Sequence, residues 1–344
     1  MRLLTTLTII SVFISACILN GCKEDAGEPV PVFTIPKLTD VENVTDTSFK
    51  FNWTFPVSNT GFIYQVSSQF DFTNAITGEV SSATYEVEGL EPVTTYYIRA
   101  KALYNGGESE FSAIDSVRTL VAINKITLIT SDSYHLAAGI SYPETEFTLN
   151  PAVILLHQVA SSKEEWHGLE IYEMLNQNGY ITMIFDHRNH GESDINPEYT
   201  STDIISDPDL IPVDLQAAVA FLKNDPKVDP ERVALIGASM GANLACVGNG
   251  NPELGIKTGI SLSPRKTRVE ELSAKIDDFT LSSMYFIVGE NDSDLEQQTI
   301  DLYGQTALPR QLDVIEGSNS HGTQILVDFP DFNTQILKWL RENL

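Results

Sequence analysis

The sequence predicts two domains in series: a small all-β domain, then an α/β domain with a mostly parallel sheet and helices on both faces. Three observations carry this expectation. Residues 22–344 are too many for one typical core. Residues from about 35 to 119 alternate in a strand-like way and show no helical period. From about Lys125 to the end, apolar runs alternate with amphipathic stretches, the pattern of βα units packed on a parallel sheet.

The N-terminus comes first. Arg2 precedes an apolar run through Leu19, so Met1 to Gly21 reads as an export signal rather than as part of the fold. The run is barely of spanning length and an acidic stretch follows it, which argues against a membrane helix. Leu19-Asn20-Gly21-Cys22 resembles a bacterial lipobox, and the following Lys23-Glu24-Asp25 resembles the surface-export tag of Bacteroidetes lipoproteins. The resemblance implies removal of residues 1–21, lipidation of Cys22 and an outer-membrane anchor facing the cell surface. Residues 22–36 carry Pro29, Pro31 and Pro36 and read as an extended spacer. Of three cysteines, Cys17 leaves with the signal and Cys22 takes the lipid; Cys246 is alone, so no internal disulfide and no zinc site built on Cys pairs is expected.

Residues 37–120 form the β domain. Phe49–Trp53 and Phe62–Val66 are short β runs, with polar turns expected at Thr77-Gly78-Glu79 and Asn105-Gly106-Gly107. The stretch from Leu90-Glu91-Pro92 through Thr95-Tyr96-Tyr97 to Ala102 resembles a fibronectin type III domain around its tyrosine corner. That likeness implies a sandwich in which Trp53 is the core Trp and the Tyr96 hydroxyl bonds back to upstream backbone. No catalytic cluster is seen here.

Residues 123–344 form the α/β domain. Ala152–Leu156, Tyr180–Phe185, Val233–Ile236, Thr258–Leu262 and Met284–Val288 are candidate parallel strands, and Trp166–Asn178 and Val213–Asn224 are candidate helices. Val233–Ile236 runs into Gly237-Ala238-Ser239-Met240-Gly241 and then into a helical stretch. A Gly-x-Ser-x-Gly between strand and helix lifts the serine off the sheet, and the glycines remove side chains that would clash there. At a helix N-terminus, free N–H groups face the negative charge that develops on attack. A serine hydroxyl needs a base, and the base a carboxylate. In this architecture acid and then His follow the Ser, and His321 is the one His after Ser239. Beyond the strand ending at Val288 stand Glu290, Asp292 and Asp294, any of which could be the acid.

Leu155-Leu156-His157, Gly-Ala-Ser-Met-Gly-Ala-Asn, Leu262-Ser263-Pro264 and His321-Gly322-Thr323 together resemble the dienelactone-hydrolase-related branch of the α/β-hydrolases, across nearly all of residues 125–344. That family's Gly-x-x-Asp spacing after the strand selects Asp292, with Asp294 as runner-up. Dienelactone hydrolase uses Cys as nucleophile; Ser239 here favours ordinary ester hydrolysis, and Cys246 reads as a small core residue. The resemblance places an oxyanion hole at the backbone N–H groups of Met240 and Val159, with Gln158 where most relatives have Gly. Asp186-His187-Arg188-Asn189-His190-Gly191-Glu192-Ser193 matches a loop that buttresses the site in relatives. It accounts for His187 and His190 without a metal.

The expected activity is that of a serine carboxylic ester hydrolase needing no cofactor. No room for a large cap is seen, so the pocket should be open and suited to short acyl esters, among them esters of surface glycans. The rivals are a serine peptidase with the same triad and a non-catalytic surface lipoprotein that holds a partner. With 47 acidic and 21 basic residues, a net charge of −26 disfavours nucleic acid as a partner.

Overall fold

Alternation of aromatic and polar residues in the first domain becomes two facing sheets whose inner sides are almost wholly aromatic and branched. The computed structural model describes residues 33–54 and 59–344. The signal segment, Cys17, Cys22, Pro29 and Pro31 lie outside the described residues. In chain order the first domain has β1 (Leu38–Glu42), β2 (Ser48–Trp53), β3 (Gly61–Ser67), β4 (Ile76–Val80), β5 (Thr84–Glu88), β6 (Thr95–Tyr104), β7 (Gly107–Glu108) and β8 (Asp115–Arg118). One sheet runs β1-β2-β5; the other runs β4-β3-β6, with β7 and β8 also on β6. Phe49, Phe51, Trp53, Phe62 and Ile98 fill the space between them. The Tyr96 hydroxyl accepts the Glu91 N–H at 2.9 Å, which ties the crossing between sheets to its upstream loop.

One turn expected from sequence is a strand instead. Gly78 lies within β4 opposite Tyr64, and a Cβ there would come within 2.4 Å of the Tyr64 hydroxyl. The glycine makes room for an aromatic ring lying across the strand, which a reading of Thr-Gly-Glu as turn chemistry does not detect. Asn105 and Gly106 do form the next turn, with Gly106 at φ 114°.

The second domain comprises β9 (Asn124–Ile129), β10 (His135–Ser141), β11 (Asn150–Leu156), α1 (Glu164–His167), α2 (Glu170–Gln177), β12 (Ile181–Phe185), α3 (Ser201–Ser206), α4 (Ile211–Asn224), β13 (Val228–Ala238), α5 (Met240–Gly250), β14 (Thr258–Leu262), α6 (Lys266–Leu272), β15 (Ser282–Gly289), α7 (Leu295–Gln305), β16 (Ala307–Ile315), α8 (Gln324–Asp328) and α9 (Asp331–Asn343). Its sheet has the order β16-β15-β14-β13-β11-β12-β10-β9. β11 to β16 pair in parallel, while β9 and β10 form an antiparallel edge. All five strand runs foreseen in the sequence lie in the parallel part. The helix expected over Trp166–Asn178 is two, because Leu169 is extended at ψ 144° and starts a new helix. Besides α4, the stretch between Ser193 and Ser239 holds α3, opened by a Thr200–Asp203 capping box.

Two core clusters cover opposite faces of this sheet. The whole of α5 is buried against one face. Cys246 sits there, fully buried, its thiol pushed up to about 12 by desolvation. The passage between the domains has no slack. Leu120 N–H donates to Thr45 O in the sandwich, while Val121, the next residue, is buried in the hydrophobic cluster of the second domain. Val121 O also accepts from the His167 ring at 2.8 Å.

Candidate active site

At the sheet's centre β13 turns into α5 through one residue in a rarely populated conformation. Ser239 has φ 52° and ψ −109°. A side chain held there costs on the order of 1–3 kcal/mol. The two flanking glycines remove what would block the turn. A Cβ on Gly237 would lie 1.9 Å from Gly241 O, and one on Gly241 would lie 2.1 Å from Leu156 O. Both clashes are with backbone, so no rotamer change relieves them. Ser239 N–H donates to Leu262 O and Asn243 N–H to Ser239 O, fixing the elbow to β14 and to the first turn of α5.

The loop after β16 brings His321 to the same place. Gly322 N–H donates to Ser263 Oγ, and Asn291 N–H to Ser318 O, so the His loop is pinned to the loops after both β14 and β15. His321 Nδ1 lies 2.9 Å from Asp292 Oδ2 and 3.0 Å from Oδ1. Asp292 is 6% exposed. The other two carboxylates after β15 face elsewhere. Glu290 accepts the Gly317 N–H. Asp294 pairs with Arg265 at 2.9 Å, and that guanidinium holds its carboxyl below the usual range. Ser293, at φ 52°, is the turn that separates the two aspartates.

Ser239 and His321 line one cavity of about 420 Å³ together with Val159, Met240, Arg265 and Arg268. Among the described residues the Val159 and Met240 N–H groups have no hydrogen-bond acceptor. Gln158 does not obstruct them. Its own N–H is taken by Glu165, and its side chain reaches across to Thr323 Oγ1 at 3.3 Å. Burial raises the Glu165 carboxyl above its usual range. Ile205 of α3 is a further wall of the cavity. Neither the two arginines nor Ile205 carried a signal in the sequence beyond their residue type.

A polar network built on Asp186–Ser193 joins Gln158 through His157. Asp186 accepts from Lys163 N, Lys163 Nζ and Glu192 N. Arg188, fully buried, bridges Asp214 and Asp132. His157 donates from Nδ1 to Gln158 O and accepts His187 N–H at Nε2, which fixes a neutral tautomer. Burial lowers its pKa from 6.5 to about 4, and His187 moves the same way for the same reason. Among the described residues no three His, Cys, Asp or Glu side chains come together as a metal site.

These depressed values set a pH dependence. At these two imidazoles the folded state binds fewer protons than the unfolded chain, so their contribution to stability is present above pH 6.5 and is lost as pH falls below it, while the raised Asp214 carboxyl, at about 6, contributes in the opposite sense. From His157 alone the loss between pH 6.5 and 5 should be about 1.6 kcal/mol. Urea unfolding at the two pH values measures it, and His157→Gln should flatten the difference. The same pH dependence in the parent and in His157→Gln would contradict the assignment.

Residues 151–291 match the family model for the alpha/beta hydrolase fold, and residues 34–118 the model for the fibronectin type III domain. Among curated proteins, a thiohydrolase of Aspergillus aculeatus is 29% identical over 119 residues, 34% of this chain and 34% of that protein. The chain therefore spans about a third of that relative's length. Among solved structures, an esterase of Pyrococcus furiosus is 22% identical with a TM-score of 0.51, over 65% of this chain and 93% of that one. A dienelactone hydrolase from Anabaena variabilis is 19% identical with a TM-score of 0.51, over 65% and 98%. Likeness at these identities shows a shared fold.

Proposed function

We propose that this chain, an α/β-hydrolase domain carried behind a fibronectin type III domain, is a serine carboxylic ester hydrolase. The fold and its neighbours support a hydrolase; ester chemistry through a serine is our reading. The observation that carries it is Ser239, held in a strained turn at the mouth of a cavity it shares with His321, whose far ring nitrogen is held by Asp292. His321 Nε2 takes the Ser239 proton as Oγ attacks the acyl carbonyl. The Val159 and Met240 N–H groups receive the oxyanion. His321 then returns the proton to the departing alcohol, and water repeats the sequence on the acyl-enzyme. Asp292 keeps the imidazole in the tautomer with its proton on Nδ1.

An open pocket walled by Val159, Ile205 and Leu295 suits a short acyl group on a larger alcohol, including an acylated glycan. Aryl esters of increasing acyl length, assayed beside the matching thioesters and peptide anilides, test the reading. Turnover of anilides above esters would replace it with a peptidase. A short thioester preferred over its ester would move it toward the activity for which the Aspergillus relative is named.

We also propose that Cys22 anchors the protein to the outer membrane, on the strength of its lipobox and the acidic residues behind it. Among the described residues no helix is long and apolar enough to cross a membrane. Cys22→Ser should shift the protein from the membrane to the soluble fraction and stop its labelling by a tagged fatty acid. Persistence in the membrane fraction, or a parent that takes up no label, would refute the anchor.

A further inference from the structure

The two domains meet on the helix that follows the oxyanion loop. Val93 lies in the first domain at φ 52°, a conformation costly for a β-branched residue and free for glycine. Its N–H donates to Leu120 O at 3.1 Å. Its side chain packs against the cluster of the second domain that holds Val121, Trp166 and Tyr172. Backbone strain persists where the surroundings fix it, and what it secures at Val93 is contact with the other domain. The two carbonyls that follow Leu120 are held from the second domain as well. His167 donates from Nε2 to Val121 O at 2.8 Å, and Ser141 Oγ donates to Ala122 O at 2.6 Å. Beside this seam Arg118 of β8 pairs with Glu173 of α2 at 2.8 Å.

The seam and the oxyanion loop share α1. This helix is Glu164–His167, about one turn, and a single turn is not stable by itself. Three consecutive residues hold it. His167 ties it to Val121 O, and Trp166, fully buried, packs it into the core. Glu165 Oε1 accepts the Gln158 N–H at 2.9 Å. Val159 follows Gln158 directly, so the aim of its N–H depends on where the Gln158 peptide is held. Contacts therefore run from Thr45 and Leu120 in the sandwich through Val121, His167 and Glu165 to the loop that carries the Val159 N–H.

We propose that the fibronectin type III domain braces the oxyanion hole: Val93 and Val121 fix α1, the latter through His167, and Glu165 passes that position to the Val159 N–H. His167 and Glu165 are positioning residues. This rests on the esterase reading. The full chain is assayed with phenyl acetate for kcat and KM, beside the inhibition constant of an aryl trifluoromethyl ketone, whose adduct with Ser239 carries the oxyanion. Removing an oxyanion donor outright costs about 10²–10³ in kcat, so letting one drift should cost on the order of tenfold. We expect that loss in His167→Leu, with ketone binding weakened in proportion and KM nearly unchanged. His167→Gln keeps an N–H donor of similar reach and should restore most of the loss. Val93→Gly relieves the strained backbone, so the sandwich keeps its fold, yet it removes the side chain that meets the second domain. It should move kcat and ketone binding the same way by less. A role in stability alone would lower the urea midpoint and leave kcat and ketone binding of the folded protein as in the parent. That result in His167→Leu, or in Val93→Gly should the first variant not fold, would overturn the inference and leave the esterase standing. A parent with no turnover above the Ser239→Ala background would remove the esterase reading, and the brace with it.

Discussion

Replacing Ser239 by Ala is expected to lower kcat for ester hydrolysis by about 10⁴–10⁶ while the protein stays folded. The size follows from the role: without Oγ no acyl-enzyme forms, and the Val159 and Met240 N–H groups act on water attack alone. Retention of the fold follows from the elbow. The strain at φ 52° belongs to any residue with a Cβ, so Ala keeps it as Ser does. Ser239→Gly provides a control in the other direction. Glycine adopts positive φ at no steric cost, so this variant should be as inactive as the Ala variant yet more stable, by about 1 kcal/mol or more. Initial rates with an aryl acetate, urea midpoints and labelling by a fluorophosphonate would be measured together. An Ala variant within tenfold of the parent, or one that still takes the label, would remove Ser239 from the mechanism.

Much of this arrangement was legible in the sequence because it is written in local pattern. The parallel strands are continuous apolar runs, since both faces of their sheet are covered. Ser239 is announced by glycines whose missing side chains would strike backbone at Gly241 and Leu156, and His321 stands alone after it. The illegible parts depend on contacts distant in sequence. β10 opens with His-Leu-Ala-Ala-Gly, and its strand character comes from pairing with β9 and β12. Gly78 looks like a turn until Tyr64 is laid over it. Arg265 and Arg268 look like surface residues of an amphipathic helix, and only the packing of α6 beside α5 turns them toward Ser239. Gln158 stands where the resemblance leads one to expect Gly, and only the fold shows its side chain reaching Thr323 and leaving the neighbouring N–H free.

The two aspartates after β15 should separate by orders of magnitude. Asp292→Asn is expected to cost about 10⁴ in kcat, because an amide beside Nδ1 no longer favours the tautomer that leaves Nε2 free to accept the serine proton. Asp294→Asn should cost neutral esters little. Its carboxylate is mostly exposed and bound to Arg265 and Gln298, and nothing ties it to His321. Parallel kcat measurements on a neutral aryl acetate decide it. If Asp294→Asn proves the more damaging on the neutral ester, then Asp294 reaches His321 in the working enzyme, and the 2.9 Å contact of Asp292 is not the catalytic one.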